Sequence, residues 1–219
     1  MPSTSHAHPV TLAIDIGGTG LKAELLDPRG SPLTDRVRVE TPHPATPDAV
    51  MSALVALVAH LKGYDRISAG FPGVVFDGVI RTAPNLHPSW SGFRLAEALR
   101  KRLHKPARVL NDAGVQGFGV IEGKGLEMVL TLGTGLGCAL FYNGTYIPNL
   151  ELAHHPFRGK KKWNKRVSKA IAQILPIWNP DRLYIGGGNA KHLTIGLPLH
   201  VKITSNEAGL LGGIALWRT

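Results

Sequence analysis

Residues 10–26 read VTLAIDIGGTGLKAELL. Residues 10–16 form a β-branched and apolar run that Gly17 and Gly18 stop, and residues 21–26 resume it before Asp27, Pro28 and Gly30. The pattern predicts a strand, a tight glycine turn and a second strand. A carboxylate, Asp15, stands at the end of the first strand, with Gly17, Gly18, Thr19 and Gly20 after it and Lys22 just beyond. The backbone N–H groups of such a turn can ring a phosphate while the acid holds a hydrated metal. Phosphate chemistry is therefore one reading, and a plain Gly-rich hairpin with a surface acid and a solvated lysine is the other. A single turn does not decide between them.

Working outward, the arrangement recurs. Residues 127–132 and 137–142 read as strands flanking Gly133, Thr134 and Gly135, and a strand over 183–185 runs into Gly186, Gly187 and Gly188. Strand ends of this kind are where an open α/β sheet offers a crevice. Neither turn matches the G-x-G-x-x-G or Walker patterns. Between the two strand pairs the sequence predicts a third strand over 33–39, then a helix started by the Thr46 hydroxyl, Pro47 and Asp48. Val50, Leu54, Leu57, Val58 and Leu61 form its apolar stripe, and Gly63 is read as its end. A strand over 66–71, a helix over 93–104, a strand over 107–110 and a helix over 113–121 follow. A second stripe, Val167 to Trp178, and a closing helix over 206–217 complete an α/β chain.

Composition narrows the class. The 219 residues are 43% hydrophobic and 18% charged, with four Trp, which suits a globular chain of one or two domains. Gly makes up 26 of them, an excess that is clustered at the turns just named. Cys138 is the sole cysteine, so an internal disulfide and a Cys-based zinc site are excluded and a reducing cytoplasm is expected. The longest clean apolar run, residues 53–59, is too short to cross a bilayer, and residues 1–10 lack the basic start and apolar core of an export signal. The net charge of +10 recruits polyanions without saying which.

Seven segments in order carry a resemblance: AIDIGGTGLK from Ala13, GFPGVV from Gly70, RTAPNLHPSW from Arg81, LNDAGVQGFG from Leu110, LTLGTGLGCALFYNGTYIPN from Leu130, ELAHHPF from Glu151 and YIGGGN from Tyr184. Together they resemble the ROK family of the sugar kinase, hexokinase and actin superfamily, and among its members the polyphosphate-dependent glucokinases. The resemblance implies an α/β fold of two ribonuclease-H-like lobes with the active site in the cleft between them. It divides the chain into a small lobe of residues 1–112, to which the segment 206–217 returns, and a larger lobe of 113–205. It also implies that Asp112 is the catalytic base and that Asn111, Asn85, Glu151 and His154 hold a hexose with it. The plain alternative for Asn111 and Asp112 is a helix N-cap. In many ROK proteins the histidine matching His154 joins a zinc site with cysteines, which this sequence lacks. Asp15, Gly17, Gly18, Thr19, Gly20, Lys22, Gly133, Thr134 and Gly135 would take the donor phosphates, Gly186, Gly187 and Gly188 a nucleotide, and Asp15 a Mg2+ ion.

Arg158, Lys160, Lys161, Lys162, Lys165, Arg166 and Lys169 place seven cations in twelve residues, and no Asp or Glu occurs over 152–180. Such a run is usually a solvated helix face. Its place after the sugar motif favours a working surface for a long polyanion, with Lys160, Lys161, Lys162 and Lys165 as polyphosphate contacts. The family normally has a longer segment before the helix that starts near Lys162. The expected reaction is phosphorylation of glucose by inorganic polyphosphate, with ATP as a further donor. The alternatives are a strictly ATP-dependent ROK hexokinase and a sugar-responsive regulator. No nucleic-acid or membrane partner is expected, and a homodimer is the family's habit.

Overall fold

The computed structural model describes residues 8–133, 135–148, 150, 152, 163–204, 210 and 212–218. Strands β1 (Thr11–Ile16) and β2 (Leu21–Leu26) form the hairpin read from the sequence, in register from Ile16 opposite Leu21 to Thr11 opposite Leu26. The third strand is shorter than the 33–39 expected: β3 is Val37–Val39, because Leu33 and Thr34 turn back to hydrogen-bond Leu25. Thr46 caps α1 (Pro47–Val58) by accepting the Ala49 N–H. That helix stops before Gly63, whose φ of +80° lies in the loop beyond.

Strand β4 (Arg66–Phe71) pairs parallel to β1. A two-residue hairpin, β5 (Val75–Phe76) and β6 (Val79–Ile80), follows it and was not legible in the sequence. Next come α2 (Leu95–Leu103), β7 (Ala107–Asn111) and α3 (Asp112–Phe118). The first sheet has the order β3-β2-β1-β4-β7. The second half repeats it with β8 (Leu126–Leu132), β9 (Leu136–Tyr142), β10 (Thr145–Ile147), α4 (Trp163–Trp178), β11 (Arg182–Gly186) and β12 (Val201–Ile203). Its sheet has the order β10-β9-β8-β11-β12. In each sheet the first three strands are antiparallel and the last two join in parallel, which is the twice-repeated ribonuclease-H-like arrangement.

Side-chain alternation explains the layers. Leu12, Ile14 and Ile16 of β1 pack with Val50, Met51 and Leu54 of α1, while Ala13, on the other face, packs with Leu210 and Ile214. In the second sheet Met128, Leu130 and Cys138 meet Val167, Ile171 and Ile174 of α4, and Val129, Ala139 and Phe141 meet α3 through Ala113. Helix α3 thus follows the last strand of the first sheet and packs between Gly70 of that sheet and the second sheet. Of the closing helix expected over 206–217, Gly212–Trp217 is a 3-10 helix and residues 205–209 and 211 lie outside the described residues. Two adjacent glycines, Gly212 and Gly213, are poor α-helix formers. The segment is bonded to β4: Ser68 donates to the Gly213 carbonyl at 2.7 Å, and Trp217 Nε1 donates to Ser68 at 2.8 Å.

Candidate active site

Asp15 is the last residue but one of β1, on the face opposite Leu12 and Ile14, and the hairpin register sets it across from Lys22. Lys22 Nζ donates to Asp15 Oδ2 at 2.8 Å, so this lysine is not a plain solvated one. The turn between them is closed by a hydrogen bond from the Gly17 N–H to the Gly20 carbonyl and held from outside by the Thr41 hydroxyl on the Gly17 carbonyl. The second hairpin is built alike, with the Gly133 N–H donating to the Gly135 carbonyl and Asn189 Nδ2 donating to the Gly133 carbonyl at 2.8 Å. The third turn crosses behind it. Gly187 has a φ of +87°, and a Cβ there would stand 2.6 Å from the Leu132 backbone, so a side chain would push the two turns apart.

These turns and the N-terminus of α3 enclose one cavity of about 360 Å3. Asp15, Gly17, Gly18, Thr19 and Lys22 line it from the first sheet, Gly133, Gly135, Gly187 and Gly188 from the second. Asn85, Asn111 and Asp112 stand on its remaining wall. Twelve residues drawn from five separated segments are therefore brought to one place. Gly20 and Gly186 are outside the lining: Gly20 lies against the Arg38 guanidinium and Gly186 against the Gln116 amide. Lys165 is an exposed residue of α4 and does not line the cavity. Thr134, Glu151, His154, Lys160, Lys161 and Lys162 lie outside the described residues.

Asn111 is the N-cap of α3 as well as a cavity residue. Its Oδ1 accepts from the Ala113 and Gly114 N–H groups, and its Nδ2 donates to the Gly73 carbonyl at 3.0 Å. The asparagine is thereby locked, and Asp112, the first helical residue, is aimed with it. The carboxylate of Asp112 also accepts the Ala113 N–H at 2.7 Å.

Several lining residues escaped the sequence reading. Arg36 is one, and its only signal was its alternation with Arg38 beside β2, which carries Glu24. Gln116 is another, four residues beyond Asp112 and so on the same helix face. It is 5% exposed, and its Nε2 has no hydrogen-bond partner among the described residues. The arrangement sets a carboxylate at a helix start across a small cavity from two N–H-rich turns and two cations. Such a site can take a polyanion on one side, a polyhydroxylated acceptor on the other, and a proton from that acceptor.

A model of the ROK family matches residues 11–149. The chain belongs to the ROK family. The polyphosphate glucokinase of Mycobacterium tuberculosis is 33% identical to it, over 96% of this chain and 94% of that protein. Among solved structures, the inorganic polyphosphate/ATP-glucomannokinase from Arthrobacter sp. strain KM is 31% identical, with a TM-score of 0.83, covering 97% of this ROK chain and 100% of that one. A ROK family glucokinase from Streptomyces griseus, in complex with glucose and AMPPNP, shares the fold with a TM-score of 0.72 at 19% identity over 95% of this chain and 99% of that one. Among the described residues no helix is long and apolar enough to cross a membrane.

Proposed function

We propose that this ROK protein is a glucokinase that transfers a phosphoryl group to the 6-hydroxyl of glucose from inorganic polyphosphate, with ATP as a further donor. The observation that carries the reading is the single cavity shared by Asp112 and the turns at Gly17 and Gly133. The likeness to a polyphosphate glucokinase and to a polyphosphate/ATP-glucomannokinase supports the choice of sugar and donor.

Asp112 accepts the proton of the 6-hydroxyl as that oxygen attacks phosphorus, and the bond from phosphorus to the bridging oxygen of the donor breaks. The leaving group is polyphosphate shorter by one unit, or ADP. Asn85 and Asn111, with Glu151 and His154, orient the sugar. The N–H groups of the turns at Gly17–Gly20 and Gly133–Gly135, with Lys22, neutralise the charge that gathers on the phosphate oxygens, which supplies most of the rate in phosphoryl transfer. The three glycines 186–188 take the nucleoside when ATP is the donor. Asp15 would hold Mg2+, which neutralises phosphate charge when bound. The sparse carboxylate set of the cavity, Asp15 and Asp112, fits an ion that keeps several waters and leans on substrate phosphates. No group of three or more His, Cys, Asp or Glu side chains gathers among the described residues, so a site built wholly from protein ligands has no support there.

The reading includes a lobe of residues 1–112 with the closing segment, a lobe of 113–205, a homodimer and a cytoplasmic setting without nucleic-acid partners. Its test is glucose phosphorylation by purified protein with ATP and with long-chain polyphosphate in turn. Turnover with polyphosphate is the expected result. Turnover with ATP alone makes the protein a strictly ATP-dependent hexokinase, and turnover with neither removes the kinase reading.

A further inference from the structure

Across the first sheet, the cavity-facing side of β1, β2 and the start of β3 carries a charged lattice set by the register. Asp15 stands opposite Lys22, Lys22 opposite Arg38, and Glu24 beside Arg36 one pair further along. Glu24 is a buried carboxylate, its side chain 3% exposed, and Arg36 Nε and Nη2 both donate to it, at 3.4 and 3.1 Å. Burying an ion pair is a poor route to stability, because desolvation offsets most of the attraction. What the pair does achieve is position. A guanidinium has five N–H groups in one plane, and two of Arg36's are spent on Glu24. The other three have no partner among the described residues, and Arg36 lines the cavity.

Lys22 and Arg36 are the cations among the described lining, and Lys22 is already engaged by Asp15. Strand order puts Arg36 far from the chemistry. Its guanidinium lies on Glu24 of β2, and from β2 to β7, whose end carries Asp112, there are three strand spacings, roughly 14 Å along the sheet. An arginine at that end of the cavity cannot serve the phosphoryl group in transfer, but the three N–H groups not spent on Glu24 match phosphate oxygens.

Building on the function proposed above, we infer that Arg36, held by Glu24, is the far anchor of the phosphoryl donor: it grips polyphosphate units behind the one transferred. The chain then runs from the end of β7 past Lys22 toward the middle of β2, where Glu24 holds Arg36. A triphosphate, with its nucleoside at the turn of the second sheet, does not extend that way. Glu24 is a positioning residue that acts through Arg36.

The experiment is steady-state kinetics of glucose phosphorylation with long-chain polyphosphate and with ATP for wild type, Arg36→Gln, Arg36→Lys and Glu24→Gln, together with calorimetric titration of long-chain polyphosphate without sugar. Loss of one charge-assisted phosphate grip raises the polyphosphate KM of Arg36→Gln about tenfold or more. The glucose and ATP KM values stay within about twofold and kcat is retained. Arg36→Lys still neutralises Glu24, so the fold is safe, yet it lacks the fork and raises the polyphosphate KM by about threefold or more. Glu24→Gln removes the carboxylate that fixes the guanidinium and moves the polyphosphate KM in the same direction without lowering kcat. An unchanged polyphosphate KM in the arginine variants, or an equal rise for ATP, overturns the anchor. The titration separates the two proposals: polyphosphate bound through Arg36 without any transfer to glucose would remove the glucokinase reading and leave the anchor in place.

Discussion

Asp112 owes its place to its neighbours on either side. Asn111 closes β7 and caps α3 with its amide locked between the helix N–H groups and the Gly73 carbonyl, so the next side chain starts a helix at the cavity wall. Asp112→Asn keeps the size and the helix start but removes the proton acceptor. Turnover should fall by about 10² to 10⁴, roughly 3 to 5 kcal/mol of barrier, with glucose affinity retained. Stopped-time assays of glucose 6-phosphate beside equilibrium glucose titration check this, and a variant keeping more than about a tenth of wild-type turnover moves the base elsewhere.

At the scale of elements, α3 is the piece of the site that joins the two sheets. Its seven residues include Gly114 and Gly117, a composition that would not hold a helix alone. The reason for Gly117 is close approach, since a Cβ there would lie 2.4 Å from the buried Phe141 ring of β9. Gly117→Ala should therefore destabilise by about 1 to 3 kcal/mol through overpacking, in spite of the better helix propensity of alanine. Urea unfolding measures the difference, and a stabilised variant would contradict the packing argument.

A second element-scale device holds the turn before β8. Glu127, fully buried, accepts the N–H groups of Glu122, Gly123 and Lys124 and the Tyr184 hydroxyl of β11 at 3.0 Å. Burial first, then the carboxylate beside it, pushes the Tyr184 phenol up to about 12. Below pH 10 folded and unfolded chains both keep this proton, so the contribution is full. Between pH 10 and about 12 only the unfolded chain releases it, and stability is lost. The wild type should lose about 2 to 3 kcal/mol more than Tyr184→Phe over that interval. Denaturant midpoints of both proteins from pH 9 to 12 test the sign as well as the size, with parallel curves as the contrary result.

On the scale of the whole molecule, the charge of +10 makes donor binding a question of counterions. By analogy with single-stranded nucleic acid, polyphosphate affinity should fall with salt at a log–log slope of about −0.7 per contact. ATP makes fewer contacts and should respond less. Changing Lys160, Lys161, Lys162 and Lys165 together to Ala should flatten the polyphosphate slope and leave the glucose KM nearly unchanged. KM values for the two donors across a salt series check this, and equal losses for the two reduce the run to a solvated helix face.

The strands β1, β2, β4, β7, β8, β9 and β11, the capped start of α1 and the three glycine turns were legible along the chain, because side-chain alternation, capping hydroxyls and glycine turns act between near neighbours. Asp15 beside a glycine turn and Asn-Asp before a helix could be read in the same way. The short strands β5, β6, β10 and β12 could not, since two or three residues leave no period to read. Arg36 and Gln116 needed the folded molecule. A cavity residue is defined by strand order and register, and these bring Arg36 next to Glu24 and α3 onto a sheet that begins after it in sequence. Local chemistry decided which side chains were available, and only the packing of two sheets against one short helix decided which of them share a cavity.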